Sequence, residues 1–418
     1  MKVALLSRAV FPLHGVGGLE RHVYDLARAL ADRGVGVTLI TPPAGDAPAA
    51  GGVIHPDVRL RSVPYHTFPL AGRRGTTVLD RITAYPLWGL RAGRLALDLV
   101  ASGDADVVHG FGASVLGYAG VRSHAISGRR SSATAPLVMN PQGLEEFGAT
   151  DPGRAPLKVT AYLPLRRAVL RCARAADAVI ATDRALEPVL LRHLGIPREK
   201  MRTIPNALDL RQIDADTNPA LLAALRSTHH IETGDRILLS VGRLEESKGF
   251  HVLLQALAAA RGHGSLDADW RWVVVGDGPY RPALESLARE LGLGPKVLFA
   301  GRVPDAEMHA WHELSTLFLH PTLYEGSSLV TLEAMAHRRA VVASAAGGIP
   351  DKVRPGENGW LVAPGDPSAL AAAISGALSD QARLARYGLA GRQIVEREFS
   401  WTAAGDATVA LYRELLAR

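Results

Sequence analysis

Two glutamates eight positions apart, Glu325 and Glu333, stand in the run YEGSSLVTLEA at 324–334. A carboxylate only accepts hydrogen bonds, so a pair beside a crevice suits the hydroxyls of a sugar, which donate them. The apolar run LFLH at 317–320, ended by Pro321, reads as a strand. The Gly-Ser-Ser turn after Glu325 then leads into a helix that starts near Ser327 or Ser328. Either serine can cap it, the hydroxyl accepting a backbone N–H that the first turn leaves unpaired. A helix N-terminus behind a parallel strand also presents free N–H groups and the positive end of a dipole, which suits phosphate. The same spacing fits two solvated glutamates on an exposed helix, so the choice turns on what accompanies them.

A second group is cationic. Arg243 and Lys248 lie five residues apart in VGRLEESKGF at 241–250, between a strand and the helix VLLQALAAA. A guanidinium forks onto phosphate oxygens, and an ammonium adds a compact second charge. The neighbouring Glu245 and Glu246 read as solvated. ADVVHGFG at 105–112 is a short buried strand that carries His109 toward its C-terminal end. Open α/β sheets bind ligands on that side. GVGG at 15–18 follows the strand KVALLS and gives a ligand close access to backbone. It is not a nicotinamide fingerprint, because the spacing is wrong and the next strand ends in Thr41-Pro42-Pro43 without an acidic residue.

The elements that must position these groups alternate along the chain. KVALLS, the helix LERHVYDLARALADRG at 19–34 and VGVTLIT at 35–41 form a strand-helix-strand unit. VRLRSVP at 58–64 is a strand followed by a long helical region to about Ser102; PLVMNPQG at 136–143 and DAVIATD at 177–183 are further strands. TIPNALDL at 203–210 closes the first half, and a boundary falls between about 205 and 235. Six strands follow: RILLSVG, WRWVVVGDG, KVLFAGRV, TLFLHPT, RAVVASAAGG and GWLVAPG. The alternation predicts mainly parallel sheets with helices on both faces, in two domains.

The 418-residue length agrees with two domains of about 200 residues. Residues 1–200 carry 25 Lys and Arg against 16 Asp and Glu, a net +9, and the remainder is −3. Arginines cluster at Arg73, Arg74, Arg81, Arg91 and Arg94, and at Arg166, Arg167, Arg171 and Arg174. Such a face meets anionic lipid or an acidic acceptor, or is simply solvated. No aromatic interleaving accompanies it, so nucleic acid is not expected as a partner. Cys172, the single cysteine, rules out an internal disulfide and reads as core filler. No export signal precedes the first strand and no apolar run reaches 18 residues, so a cytoplasmic protein is expected, with peripheral contact at the inner membrane face permitted by the basic half.

Taken together, the chain resembles the retaining GT-B glycosyltransferases of glycosyltransferase family 4 over nearly its whole length. The resemblance rests on GGLERHV at 17–23, DVVHG at 106–110, IPNALD at 204–209, VGRLEESKGF, VVVGDGPY at 273–280 and EGSSLVTLEA. It implies two Rossmann-like domains facing across a cleft: an acceptor domain over 1–205 with a returning helix at 399–418, and a nucleotide-sugar domain over 206–398. It implies that Arg243 and Lys248 stabilise the departing diphosphate and that Glu333 holds the ribose hydroxyls. Glu325 and His109 meet the donor sugar, with Gly326, Ser327 and Ser328 touching sugar or phosphate. Gly17 and Gly18 approach the diphosphate, and Arg302 and Val303 lie near the base. The implied reaction is transfer of a hexose-type sugar, with uridine diphosphate the commonest carrier, to a small or lipid-linked hydroxyl acceptor. It proceeds by front-face attack, without cofactor or bound metal, and with hinge motion near 205–235. The chain departs from the pattern at Gly326-Ser327-Ser328, where Gly-Phe-Gly is common, and at Asn206-Ala207, where Asn-Gly is. A nucleotide-sugar epimerase or a phosphorylase shares the architecture but not these motifs. A catalytically inactive sugar-nucleotide-binding protein is the alternative of a different class.

Overall fold

The computed structural model of the chain describes every residue except 16, 45–53, 68–75, 127–133, 142–143, 148–159, 216–217, 233 and 263–269. Arg73 and Arg74 therefore lie outside the described residues, as do the second position of GVGG, at 16, and the end of PLVMNPQG, at 142–143. The chain forms two compact units, Met1–Asn206 with Trp401–Arg418, and Ala207–Ser400.

Uninterrupted apolar runs make the strands. β1 (Lys2–Leu6) is KVALL with its last four residues buried, and β4 (Val107–Phe111), β5 (Leu137–Asn140) and β6 (Ala178–Ala181) are buried throughout. A parallel strand covered by helices on both faces has no solvent side, so it shows no polar alternation. With β2 (Gly36–Thr41), β3 (Val58–Ser62) and β7 (Met201–Thr203), these build a parallel sheet of seven strands among the described residues. Its order is β3-β2-β1-β4-β5-β6-β7. β7 is three residues long, MRT, and has no apolar run to announce it; pairing with β6 makes it a strand.

The second unit holds β8 (Arg236–Val241), β9 (Trp270–Val275), β10 (Val297–Gly301), β11 (Leu317–His320), β12 (Val341–Ser344) and β13 (Gly359–Val362). They form a parallel sheet in the order β10-β9-β8-β11-β12-β13. All six expected strands are present, and both units have the expected Rossmann-like α/β architecture. Each sheet reverses its winding beside its first strand, between β1 and β4 and between β8 and β11. Ligands of such sheets bind beyond the carboxyl ends of the strands at that reversal.

The helix Trp401–Leu416 completes the first unit by packing on the helix Gly18–Ala31. Arg33, just beyond the latter, donates to Asp406 at 2.6 Å and to the Thr402 carbonyl at 2.5 Å, while Arg202 pairs with Glu414 at 2.7 Å. Inside this contact lies His109. Its ring is 1% exposed, stacks on Phe111 with centroids 5.4 Å apart, and has Nδ1 2.6 Å from the Tyr412 hydroxyl. Side chains alternate along a strand, and His109 takes the face that the closing helix covers. It fastens that helix to β4 through Tyr412. Cys172 is core filler as expected, and burial pushes its thiol up to about 12.

Burial lowers the His109 pKa to about 3, with His22 adding a smaller effect. It lowers His22, whose ring meets Trp401 edge-on, to about 4, outweighing a hydrogen bond to Asn206. Both rings are neutral in the folded chain and take up protons near 6.5 once unfolded. The unfolded state therefore binds more protons below that point, and stability falls with falling pH. Thermal unfolding is expected to show this loss from about 6.5 down to about 4, with a shallower slope in His109→Leu; equal slopes contradict the assignment.

Candidate active site

The reversal of the second sheet is built by the loops that leave β8 and β11. The β8 loop makes a short turn at Glu246–Lys248, followed by Gly249 at φ +67°. A Cβ on Gly249 would stand 2.0 Å from the Pro321 carbonyl oxygen, so only glycine lets the two loops lie this close. The Ser247 carbonyl then accepts hydrogen bonds from Leu323 N at 2.8 Å and Thr322 Oγ1 at 3.1 Å. Fastened in this way, the loops bring Lys248 Nζ to 2.9 Å from Glu325 Oε2. The two side chains are 23% and 13% exposed.

The same carboxylate oxygen lies 2.9 Å from Nε2 of His320, the last residue of β11. Burial alone would raise the Glu325 pKa, but the contacts with His320 and Lys248 win and lower it to about 2. The carboxylate is ionised at neutral pH. Ser328 caps the helix Leu329–Ala336, accepting from Thr331 N, and its Oγ lies 2.8 Å from Thr331 Oγ1 and 3.3 Å from His320 Nε2. Ser327 Oγ accepts from Nζ of the fully buried Lys352 at 3.4 Å, and Lys352 also donates to the Gly348 carbonyl at 3.1 Å. The serines that replace the commoner Phe and Gly thus hold the turn in place. Gly348 N donates to the Gly326 carbonyl at 3.0 Å. Beside it Gly347 takes φ +52°, where a Cβ would stand 1.8 Å from the Glu325 carbonyl oxygen.

The structure therefore brings Lys248, Glu325 and the turn Gly326, Ser327 and Ser328 together. Glu333 is half-buried on the helix that this turn starts. Arg243 is 65% exposed, with Nε 2.9 Å from Oε1 of Glu245, which is itself 40% exposed and so both solvated and paired. Arg302, exposed, and Val303, half-buried, follow β10. In the first unit Gly17 and Gly18 open the helix Gly18–Ala31, both exposed and with no side chain capping the helix. His320 and Lys352 were not read from the sequence. LFLH did carry a signal for His320, a histidine closing a strand five residues before a candidate glutamate. A lone lysine in GIPDKVRPG carries none. Among the described residues, no group of three or more His, Cys, Asp and Glu is placed to hold a metal ion, and no helix is long and apolar enough to cross a membrane.

The backbone of Glu325 depends on Gly347. Gly356 has a similar backbone at φ +85° but open space around it. Gly356→Ala is expected to cost about 1 kcal/mol of left-handed strain. Gly347→Ala is expected to cost clearly more, because it also displaces the Glu325 carbonyl. Equal losses in thermal unfolding would show that the close contact is unimportant.

Comparison with known proteins bears on the family and the fold. The sequence model described as Glycosyl transferases group 1 matches residues 223–394, and that described as Glycosyltransferase Family 4 matches residues 16–212. A D-inositol 3-phosphate glycosyltransferase of Catenulispora acidiphila is 30% identical over 436 residues, covering 99% of this chain and 96% of that protein. Among solved structures, sucrose-phosphate synthase from Thermosynechococcus elongatus gives a TM-score of 0.70 at 25% identity, covering 100% of this chain and 99% of that one. Anabaena HepE, in complex with UDP, shares the fold with a TM-score of 0.69 at 21% identity, over 99% and 100% of the two chains. The chain belongs to the group 1 glycosyltransferases, which are built on the GT-B fold.

Proposed function

We propose that this family 4 member transfers a hexose-type sugar from a nucleoside diphosphate sugar to a hydroxyl acceptor and retains configuration at the anomeric carbon. The contact of Lys248 with the ionised Glu325, at the reversal of the second sheet, carries this reading. As the bond from the anomeric carbon to the phosphate oxygen breaks, negative charge grows on the diphosphate. Lys248 and Arg243 meet that charge, and they do so without a bound metal. Glu325 accepts from donor-sugar hydroxyls, Glu333 from the ribose, and Arg302 with Val303 borders the base. The acceptor hydroxyl attacks on the face the diphosphate leaves, and the departing phosphate oxygen takes its proton. The resemblance to family 4 supports this sequence of events. Uridine diphosphate, which HepE carries, is the first donor nucleotide to try.

The first unit supports an acceptor role. A cavity of about 650 Å³ there is lined by Arg8, Glu20, Tyr65 and Asp80, with Pro42 and Pro43 as apolar wall. Tyr65 donates to Asp80 at 2.7 Å, and Arg8 lies over the Tyr85 ring at 5.2 Å. Carboxylates for hydroxyls, a cation and an apolar wall fit a polyhydroxylated ring, the class to which the inositol phosphate of the Catenulispora relative's name belongs. Two helices of this unit each present a leucine followed by arginines at helical spacing. Leu87, Arg91 and Arg94 are exposed on Ala84–Ala101, and Leu163, Arg167, Arg171 and Arg174 on Leu163–Ala175. Those faces suit an anionic membrane and hence a lipid-linked acceptor.

Lys248→Ala and Glu325→Ala are each expected to cut turnover by at least about a hundredfold, read as nucleoside diphosphate released, while circular dichroism shows a folded protein. Near-normal transfer by either variant contradicts the assignment.

A further inference from the structure

The glycosyl-transfer reading gives Lys248 two tasks. In the structure its ammonium rests on Glu325, and in the reaction it meets the diphosphate. A buried carboxylate whose cation turns to another anion tends to take up a proton, because burial favours the neutral form. It also loses one of the contacts that fix its direction. His320 has no such second task. Its side chain is 2% exposed, it closes β11 in register with Ala343 of β12, and its ring stacks on Phe318 with centroids 6.0 Å apart.

We propose that His320 is the positioning residue of this site: its Nε2–H holds Glu325 Oε2 in place while Lys248 passes from the carboxylate to the donor phosphate. The proposal rests on the glycosyl-transfer reading above.

The surroundings of the ring fix which proton it carries. Nδ1 is buried without a hydrogen-bond partner, so a proton there would be an unsatisfied donor. A proton on Nε2 instead meets Glu325 and is satisfied there. Ser328 Oγ, 3.3 Å from the same nitrogen, aligns the ring with the helix start that Ser328 caps. The charged groups that face Glu325 are Lys248 from the β8 loop and, at one remove, Lys352, which reaches the turn through Ser327. Oε2 carries the contacts of both Lys248 and His320, which leaves Oε1 for a sugar hydroxyl.

The test compares His320→Leu with His320→Gln, whose amide nitrogen offers an N–H near the position of Nε2. Calorimetry with nucleoside diphosphate and kinetics with the sugar nucleotide are measured over a range of pH. In His320→Leu, nucleoside diphosphate affinity is expected within about twofold of wild type, with kcat/KM down about tenfold. The acid limb of kcat/KM moves to higher pH, since Glu325 is then less firmly held ionised. His320→Gln restores most of the rate and the acid limb. A His320→Leu enzyme with wild-type kcat/KM and acid limb overturns the inference alone. Equal impairment of both variants with falling nucleotide affinity also overturns it, by assigning His320 to packing. Wild-type protein that binds no nucleoside diphosphate contradicts the donor reading and takes this inference with it.

Discussion

A carboxylate held largely out of water must be paired, and Glu325 is paired twice through one oxygen. Removing a partner from a buried charge is far more costly than losing a surface ion pair. The local structure is arranged around that constraint. Gly249 lets the β8 loop lie against Pro321 so that Lys248 can arrive, and Gly347 lets the chain pass the Glu325 carbonyl at the other side. His320 reaches the carboxylate from the end of β11, and Ser328 starts the next helix within reach of the same ring. A charged group fixed before a ligand binds needs no reorganisation during the reaction, which is where such electrostatic arrangements gain their effect.

The two units use one topology for different ends. Each sheet winds outward from its first strand in both directions, so each has one reversal and one set of loops beside it. In the second unit those loops carry opposite charges in contact. In the first, the loop after β1 leads to an uncapped helix start at Gly17 and Gly18 and to a cavity lined by acids, a cation and prolines. The first unit also depends on the chain's end, because the helix Trp401–Leu416 covers His22 and His109 and supplies Tyr412 to the latter. Neutral imidazoles in that contact, His109 buried and His22 half-buried, are a liability in acid and an asset at neutral pH, where they pack as aromatic rings.

How much of this could be read from the sequence follows from what each feature depends on. The strands of the second unit were legible because a doubly covered parallel strand is an apolar run, as in WRWVVV and LFLH. MRT was not, since β7 is a strand only through its pairing with β6. Lys248 and Glu325 were legible as charge types at telling spacing. Their direct contact was not, because it depends on how closely two loops approach. The packing of His109 against the closing helix was not legible, because proximity to a strand's end does not say which face a side chain takes. His320 escaped notice for the complementary reason: the same kind of signal, on a strand whose end faces the site. The pairing of Glu245 with Arg243 was not legible, because two charges two residues apart leave no pattern.

The reversal of the second sheet is proposed to bind a nucleoside diphosphate through protein cations. The most direct measurement is a thermal-shift series with the diphosphates of uridine, guanosine, adenosine and thymidine, each with and without magnesium. One of them is expected to raise the melting temperature equally in both conditions. No shift with any of the four, or a shift that appears only with magnesium, would contradict it.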